Sequence, residues 1–361
     1  MMQTLAIFRG TYRNLKARKM FWIVLILTML LVVAMACVGI DESGVSLLFW
    51  TVTSIWTTEN VSRPVFYNFL FSAIGIDTWL SWIASILALI STAGIFPDLV
   101  AGGSIDLVLS KPISRARLFL TQYAAGLLFV TLQVGLFTGA SFLVIGLRGG
   151  SWQPELFLAV PLVVCFFSYL FAVCAFLGVA TRSALAALLL TLLFWFLLHG
   201  LHSADVTVGL FSATSQQQAD VIDGEIRGLR RQVAKRSAQS RPAGDPAAAA
   251  PDDKLASLQR RIAESQKRRA EKISQAESLN RARGVLVGVK TFLPKTAETV
   301  ELLQRFLIRV SDLPGIDQAG PQKRLVAELR ERSVTWIIGT SLIFEAVILA
   351  LGMWVFQRRD F

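Results

Sequence analysis

The chain has 361 residues, of which 54% are hydrophobic and only 17% are charged, and its mean hydropathy is +0.56. Soluble domains are about 45–50% apolar and about 25% charged, so this composition favours an integral membrane protein and excludes a chain that is disordered over most of its length. Three cysteines are too few for a disulfide-rich secreted domain, and all lie inside apolar blocks. The net charge of +11 would suit a nucleic-acid-binding protein, but the positions of the charges must decide that.

Six apolar segments are long enough, or nearly so, to cross a bilayer as helices, which takes about 20 residues. They are 20–40, 78–96, 118–147, 156–179, 184–201 and 334–356. The first is not typical of a cleavable signal peptide, because its apolar run is too long and no clear small-residue cleavage site follows. The sequence therefore predicts an all-α polytopic membrane protein, with spans one to five in 20–201 and the sixth span with its tail in 334–361.

An aromatic-rich stretch at 47–71 lies between the first two predicted spans. Glu59, Arg63 and Pro64 interrupt its apolar pattern. We expect it to lie along the membrane surface, with three aromatic side chains at the level of the lipid headgroups: Trp50, Trp56 and Tyr67.

The connection between the second and third spans, at 97–115, reads P-D-L-V-A-G-G-S-I-D-L-V-L-S-K-P-I-S-R. Pro97 is expected to end one helix, and the Gly-Gly pair permits a sharp reversal. Ser104 can cap a short helix that ends before Pro112, and Ser114 can cap the third span. The pattern predicts a short helix held across the membrane face between two rigid bends, where a peripheral protein could push on it.

The Lys and Arg residues outside the long fifth connection set the expected orientation. Only Arg63 and Arg148 lie on one side of the membrane. The others lie on the opposite side: Arg9, Arg13, Lys16, Arg18, Lys19, Lys111, Arg115, Arg117, Arg182, Arg358 and Arg359. Since cytoplasmic loops carry the excess of positive charge, we expect a multi-pass protein of the cell (inner) membrane with both termini and 97–115 in the cytoplasm.

Residues 202–333 form a large hydrophilic insert between the fifth and sixth spans. The orientation places it outside the cytoplasm although its net charge is +7, since connections longer than about 60 residues largely escape the charge rule. Acidic and basic residues alternate along it, which is typical of a solvated helix face rather than a nucleic-acid track. No nucleic-acid partner is expected.

Two helical patterns in the insert predict an antiparallel, coiled-coil-like hairpin at 218–282. Its apolar stripes are Ile222, Ile226, Leu229 and Val233, then Leu255, Leu258, Ile262, Ile273, Ala276 and Leu279, with Arg269 as an interruption. A linker rich in Pro and Ala separates the two. The thin apolar seam suits a docking arm that binds an extracytoplasmic partner or a second copy. The alternative is a charged segment that is poorly ordered.

An amphipathic helix at 295–310 is expected to rest on the outer membrane face or to pack onto the spans.

Glu345, midway along the sixth span, is the candidate intramembrane functional residue, because a carboxylate is costly inside a membrane. It could face a substrate path, relay a proton, or be a protonated group that is hydrogen-bonded to a neighbouring helix. Gln133 is expected to donate a hydrogen bond between helices. His199 and His202 lack a third ligand, so no metal site is expected. No nucleophilic triad or catalytic carboxylate pair occurs in the sequence.

The run G-G-S-I-D-L-V-L-S-K-P-I-S-R closely resembles the recurring cytoplasmic motif of the membrane subunits of type-2 ABC exporters. The likeness extends to the six spans, to a basic amphipathic segment at 1–19 that resembles the family's cytoplasmic connecting helix, and to the ending Q-R-R-D-F. It covers the transmembrane framework but not the insert at about 215–283. Lipid, polysaccharide, peptide, drug and metal-system roles all stay open.

The resemblance implies a permease subunit that pairs, in the membrane lipid, with a second copy or a paralogous permease. It also implies separate cytoplasmic ABC ATPase subunits that bind ATP and Mg²⁺. The chain itself has no phosphate-binding loop, so neither a cofactor nor enzyme activity is expected in it. The resemblance assigns the ATPase-coupling role to Gly103, Ser104, Ile105, Asp106, Leu107 and Leu109, framed by Lys111, Pro112 and Arg115.

Two functions are compatible with these features. The first is an exporter permease that moves a substrate when its ATPase hydrolyses ATP. The second is a mechanotransmitting scaffold that couples the ATPase to an extracytoplasmic partner through the insert, without a pore. An intramembrane hydrolase, a third class, lacks a catalytic constellation.

The orientation can be tested with a cysteine at Pro246, in a chain whose Cys37, Cys165 and Cys174 are replaced. An impermeant thiol reagent should label Pro246→Cys in intact spheroplasts, because the insert is expected outside. Lys16→Cys, in the expected cytoplasmic segment, is the matched control and should be labelled only after lysis. Labelling of Pro246→Cys only after lysis would reverse the orientation.

Overall fold

The computed structural model describes residues 10, 19–42, 44–47, 50–53, 57–58, 61–101, 114–239, 253–307 and 333–358. Helices dominate these ranges, as the sequence predicts. The described residues fall into two compact units. The membrane unit contains the described residues up to 200 together with 290–307 and 333–358, and the arm unit contains 201–289.

Six helical segments in the described part of the chain are long and apolar enough to cross a membrane, which confirms the six predicted spans. They cover Lys19–Cys37, Arg63–Val100, Arg115–Gly149, Pro154–Thr181, Ala184–Ala238 and Val334–Arg358. Because length and apolar composition alone define a spanning helix, the sequence was sufficient to locate them.

A small antiparallel sheet follows the first span, α1 (Lys19–Cys37), and was not predicted. Its strands are β1 (Val38–Asp41), β2 (Gly44–Leu47) and β3 (Trp50–Thr53), in that order. Gly44, opposite Asp41 in the first pair, has φ 139°, a conformation that glycine adopts without strain. Strands of four residues are too short to show a clear alternation of apolar and polar positions, so the all-helical expectation missed them.

The second span begins at Arg63, much earlier than predicted. Its first helix, α2 (Arg63–Leu70), has Pro64 in the first turn, where the missing N–H costs nothing. Tyr67 is buried, and its hydroxyl donates to the Val38 carbonyl at 2.9 Å. The last part of the predicted surface stretch at 47–71 is therefore the packed start of a span.

The second span continues through helical segments of different winding. A π-helical stretch, Phe71–Ala84, leads into α3 (Ser85–Thr92) and, after a turn, into α4 (Ile95–Ala101). Within the π-helical winding the Thr78 hydroxyl donates to the carbonyl five residues earlier. Pro97 lies in the first turn of α4, so the prediction that Pro97 ends a helix is wrong: the break comes before it.

The fourth span, α6 (Ala159–Thr181), forms the centre of the membrane unit. It packs against α4, α5 (Arg115–Val144), α9 (Thr296–Leu307) and α10 (Val334–Arg358). In its most apolar window 61% of the residues are buried, compared with 17% in α10. The sixth span therefore has most of this window outside the packed interior of the membrane unit.

The centre is closely packed because small residues lie where helices meet. A Cβ atom added at Gly126 of α5 would lie 2.5 Å from the Cε1 atom of Phe171 in α6. One added at Gly178 of α6 would lie 3.1 Å from the ring of Pro97. Small residues at contacts between membrane helices allow this approach, which dispersion forces then stabilise.

The fifth span is the start of α7 (Ala184–Gln239), a helix that is unbroken to residue 239. The predicted border between span and insert at 201/202 is therefore not a helix end.

In the arm unit α7 and α8 (Asp253–Phe292) run antiparallel, because Asp205 contacts Arg283 and Asp223 contacts Arg269. The paired helices begin and end outside the predicted 218–282, and the linker at 240–252 lies outside the described residues.

The close contact at Gly126 yields a test of the packing. Gly126→Ala should lower the free energy of unfolding by about 1–3 kcal/mol, because its methyl group overlaps the Phe171 ring. Gly135→Ala on the same helix is the matched control: its added Cβ meets nothing within 4 Å, so the alanine should be neutral or slightly stabilising. Thermal unfolding of the purified chain in detergent measures both. Equal stability of the two variants would contradict this packing of α5 on α6.

Candidate functional site

Glu345 lies on the inward side of α10 and is only 8% exposed. It is the only acidic residue of that helix. The structure surrounds it with hydroxyl groups from two other spans. This cluster, formed by Glu345, Tyr123 and Ser168, is called the carboxyl cluster below.

Both carboxyl oxygens of Glu345 have a partner. The Tyr123 hydroxyl of α5 lies 2.8 Å from Oε1, and the Ser168 hydroxyl of α6 lies 2.7 Å from Oε2. The carboxyl cluster therefore joins three spans through hydrogen bonds that are shielded from lipid.

The number of available hydrogen atoms constrains the carboxyl group. The Tyr123 hydroxyl also lies 2.9 Å from the Ser168 carbonyl, and the Ser168 hydroxyl lies 2.8 Å from the Cys165 carbonyl. An ionised carboxylate leaves two hydrogen atoms for these four contacts, whereas a neutral carboxylic acid supplies a third. Because a buried charge without a cationic partner is costly in a membrane, the geometry favours the neutral acid.

The carboxyl cluster bears on the roles that the sequence left open for Glu345. Both of its oxygens are occupied by groups of the protein, so in this conformation neither is directed at a substrate path. This arrangement favours a clamp between helices. A proton relay would require the Tyr123 and Ser168 contacts to separate first.

A second polar cluster lies where α8, α9 and α10 meet in the membrane unit. Lys290 and Glu298 are both buried, and their Nζ and Oε1 atoms are 2.8 Å apart. The ammonium of Lys295, which is 2% exposed, donates to the Thr340 hydroxyl at 2.7 Å and lies 4.1 Å from the Trp336 ring centre. Each buried cation thus has a partner, as burial requires.

The sequence did not reveal this second cluster. It did predict an amphipathic helix at 295–310, and the structure contains α9 over most of that range. Lys295 and Glu298 lie beside the apolar stripe of that helix in the sequence. Burial of Val300 and Leu302 shows that α9 packs into the membrane unit. The sequence offered one signal of this cluster, namely the oppositely charged pair Lys295 and Glu298, three residues apart and directly after Pro294.

Gln133 of α5 does not make the predicted hydrogen bond between helices. Its amide nitrogen is buried and has no hydrogen-bond partner among the described residues. It lines a cavity of about 10 Å³ together with Thr28 and Ser85. A space of that size and polarity suits one water molecule.

Of the residues assigned to ATPase coupling, only Arg115 lies in the described part of the chain. It follows Ser114, whose side chain accepts a hydrogen bond from the Arg117 N–H at 3.3 Å, so the predicted cap of the third span is confirmed. The Arg115 guanidinium donates to the Gln357 carbonyl at 3.2 Å. The end of the 97–115 connection is thereby tied to the last turn of α10. The other assigned residues, from 103 to 112, lie outside the described residues, as does nearly all of 1–19.

Among the described residues, no group of three or more His, Cys, Asp or Glu side chains is placed to hold a metal ion. His199 packs edge-on against Trp82, with ring centres 4.8 Å apart.

The chain matches no known family model, no curated protein and no solved structure.

The carboxyl cluster predicts different effects for two substitutions. Glu345→Gln should change the free energy of unfolding by less than about 0.5 kcal/mol, because a neutral amide can replace a neutral acid between two hydroxyls. Glu345→Ala should cost about 1–2 kcal/mol, since it removes both bonds between helices and leaves a space. Chemical unfolding in detergent measures both effects.

The double variant Glu345→Ala/Tyr123→Phe provides the control for this test. The phenylalanine should destabilise this background less than the wild type, because only the contact of the Tyr123 hydroxyl with the Ser168 carbonyl is then left to lose. If Glu345→Gln is as unstable as Glu345→Ala, the carboxyl group is ionised and the clamp model is wrong.

Proposed function

We propose that this chain is the membrane-spanning permease subunit of an ATP-driven exporter of the type-2 ABC class. The observation that carries the proposal is the run G-G-S-I-D-L-V-L-S-K-P-I-S-R between the second and third of six membrane-length helices. Ser114 at the end of this run caps the third span, so the run leads directly into a long spanning helix.

The coupling role is assigned to residues at the connection itself. Asp106 and its neighbours from Gly103 to Leu109 would contact a separate ATPase subunit, which binds ATP and Mg²⁺. Lys111, Pro112 and Arg115 would frame this contact. The bond from Arg115 to the Gln357 carbonyl supports transmission, because it links the connection to the sixth span.

The same proposal specifies the surroundings of the chain. Both termini and the coupling connection lie in the cytoplasm, and the insert lies on the other side of a cell (inner) membrane. A second copy or a paralogous permease completes the membrane unit. The exposed leucine stripe of α7 supports contact with lipid or with that second permease: it comprises Leu185, Leu189, Leu193 and Leu197.

One observation favours the scaffold as a second candidate function. The arm unit is a pair of antiparallel helices with a defined register, set by the contacts of Asp205 with Arg283 and of Ser212 with Asn280. An ordered arm of this kind suits a protein that transmits force to an extracytoplasmic partner. Permease and scaffold share the coupling step and differ in whether a substrate crosses.

The shared coupling step can be tested with a charge reversal. The tagged chain should co-purify with an ABC ATPase, and Asp106→Arg should reduce that recovery at least about tenfold, because it places a cation where the partner would accept an acid. Glu155→Arg makes the same charge change at an exposed position in the first turn of the fourth span and should leave recovery unchanged. Absence of any ATPase with the wild-type chain would refute both candidate functions.

Removal of the arm separates the two candidates. Ser212 and Asn280 are hydrogen-bonded at 2.6 Å, so a short Gly-Ser linker can replace 213–279 without separating the two helix stems. If the shortened chain keeps ATPase coupling and transport, the chain acts as a permease. If it keeps coupling but loses both an extracytoplasmic partner and the cellular activity, the chain acts as a scaffold.

A further inference from the structure

The last turns of α8 expose apolar side chains. Val285 is 69% exposed, Val289 is 49% exposed and Phe292 is 82% exposed. They follow one another at intervals of four and three residues, so they lie on one face of the helix. This surface, formed by Val285, Val289 and Phe292, is called the apolar face of α8 below. Because water disfavours a contiguous apolar surface, such a face marks a contact with lipid or with another protein.

The charged residues at this end of α8 are turned away from solvent. Between 282 and 292 the sequence contains only two of them, Arg283 and Lys290. Arg283 lies 3.0 Å from Asp205, and Lys290 lies 2.8 Å from Glu298. The side chains of Arg283 and Lys290 are only 13% and 8% exposed. A helix end that pairs and buries its charges is suited to hydrocarbon rather than to water.

The helix that pairs with α8 shows the same pattern. The exposed leucine stripe of α7 ends at Leu197, and Phe211, which is 62% exposed, follows fourteen residues later. Fourteen residues make nearly four complete turns, so Phe211 continues the same face. From Ala184 to Phe211 the only Asp, Glu, Lys or Arg is the paired Asp205. This part of α7 is about 42 Å long, which matches a bilayer with its headgroups.

One exposed cation lies at the arm end of the apolar face. Arg281 is exposed and precedes Val285 by four residues, so it belongs to the same face. Phe292 follows Arg281 by eleven residues, which is about 16 Å of helix. One leaflet of hydrocarbon is about 15 Å thick, half of the bilayer core. The face therefore has a cation at one end and an apolar surface as long as one leaflet.

The surroundings of the apolar face favour lipid over a protein partner. A Cβ atom added at Gly284 or Gly288 would meet nothing within 4 Å, so the helix surface is open there. Residues 284–289 are Gly, Val and Leu alone. Protein interfaces have a polar rim with hydrogen-bonding groups, which these residues do not supply through their side chains. Acyl chains need only apolar surface.

We propose that a membrane phospholipid binds along the apolar face of α8, in the leaflet next to the arm. Its phosphate accepts hydrogen bonds from Arg281, and its acyl chains pack on Val285, Val289 and Phe292. The base of the arm lies inside the membrane, and only the part beyond Phe211 and Arg281 lies in water. This inference goes beyond both candidate functions and holds for either orientation of the chain.

Fluorescence quenching identifies the medium around the apolar face. Val285→Cys and Val289→Cys, each in the chain without its native cysteines, are labelled with bimane in detergent. The full chain is then transferred to nanodiscs, whose two faces are both open to solvent. Phospholipids with brominated acyl chains should quench both probes at least about twofold, because the probes lie in hydrocarbon, and aqueous iodide should have little effect.

Val221→Cys provides the matched control. Val221 is the same residue type and is 68% exposed, but it follows Asp220, the first exposed charge of α7. Its probe should be quenched by iodide and not by brominated lipid.

A charged variant measures the same difference without a label. Val285→Asp should lower the thermal unfolding temperature in nanodiscs by several degrees, because a carboxylate in hydrocarbon is costly. Val221→Asp should leave that temperature unchanged.

The phosphate contact is tested separately. Native mass spectrometry counts the phospholipids that the purified chain retains. Arg281→Gln should lower this retention about threefold or more, because it removes a charge-assisted contact with the phosphate. Arg261→Gln makes the same change at an exposed position of the same helix and should leave retention unchanged.

Each outcome decides the proposal. Quenching of the Val285 and Val289 probes by brominated lipid supports it, whereas quenching by iodide alone places the base of the arm in water and overturns it. Resistance to both quenchers shows that a second copy or another protein covers the face, which also overturns it. Equal lipid retention in Arg281→Gln and Arg261→Gln would refute the phosphate contact. None of these results depends on whether an ATPase binds the chain.

Discussion

One constraint organises the membrane unit: a polar or ionisable side chain in hydrocarbon is costly unless it has a hydrogen-bond partner. Most side-chain hydroxyls in the spans meet it locally, as Thr28 and Thr191 do by donating to the carbonyl four residues earlier. Glu345 cannot be satisfied in that way, because its own helix offers it no free donor. It is satisfied by Tyr123 and Ser168 from two neighbouring helices. The carboxyl cluster forms only where α5, α6 and α10 pack closely together. Its hydrogen bonds in turn hold these three helices in contact, so the cluster and the close packing around α6 support each other.

The spans could be predicted from the sequence because apolar length alone defines them, and Ser114 could be predicted as a cap because a helix start needs an acceptor at that position. Lys295 and Glu298 could not be placed in the same way. Their spacing fits a polar helix face whether that face meets water or other buried groups, and only tertiary packing distinguishes the two. The partners of Glu345 lie 222 and 177 residues away along the chain, so no local pattern could reveal them.

In the arm unit the sequence pattern was informative but incomplete. Arg269 looked like an interruption of the apolar stripe, yet its side chain lies 3.0 Å from Asp223. That pair is about two-fifths exposed, so it contributes little to stability. Asp205 is 1% exposed beside Arg283, and loss of either partner would leave a buried charge. Charged contacts therefore fix the register of the two helices, while buried Ile226 and Leu229 supply the apolar contact.

If the 97–115 connection has the proposed coupling role, the described residues on either side of it determine how a force applied there would act. Before the connection, Pro97 lies against Gly178 of α6, where an added Cβ atom would be 3.1 Å from the proline ring. After it, Arg115 holds the last turn of α10. The carboxyl cluster joins the same α6 and α10 to α5, the helix that Arg115 begins. Packed helices linked in this way move as a body rather than deform gradually. A displacement of the connection would therefore shift α5, α6 and α10 together, and separate motion of these helices would require the Glu345 contacts to break first.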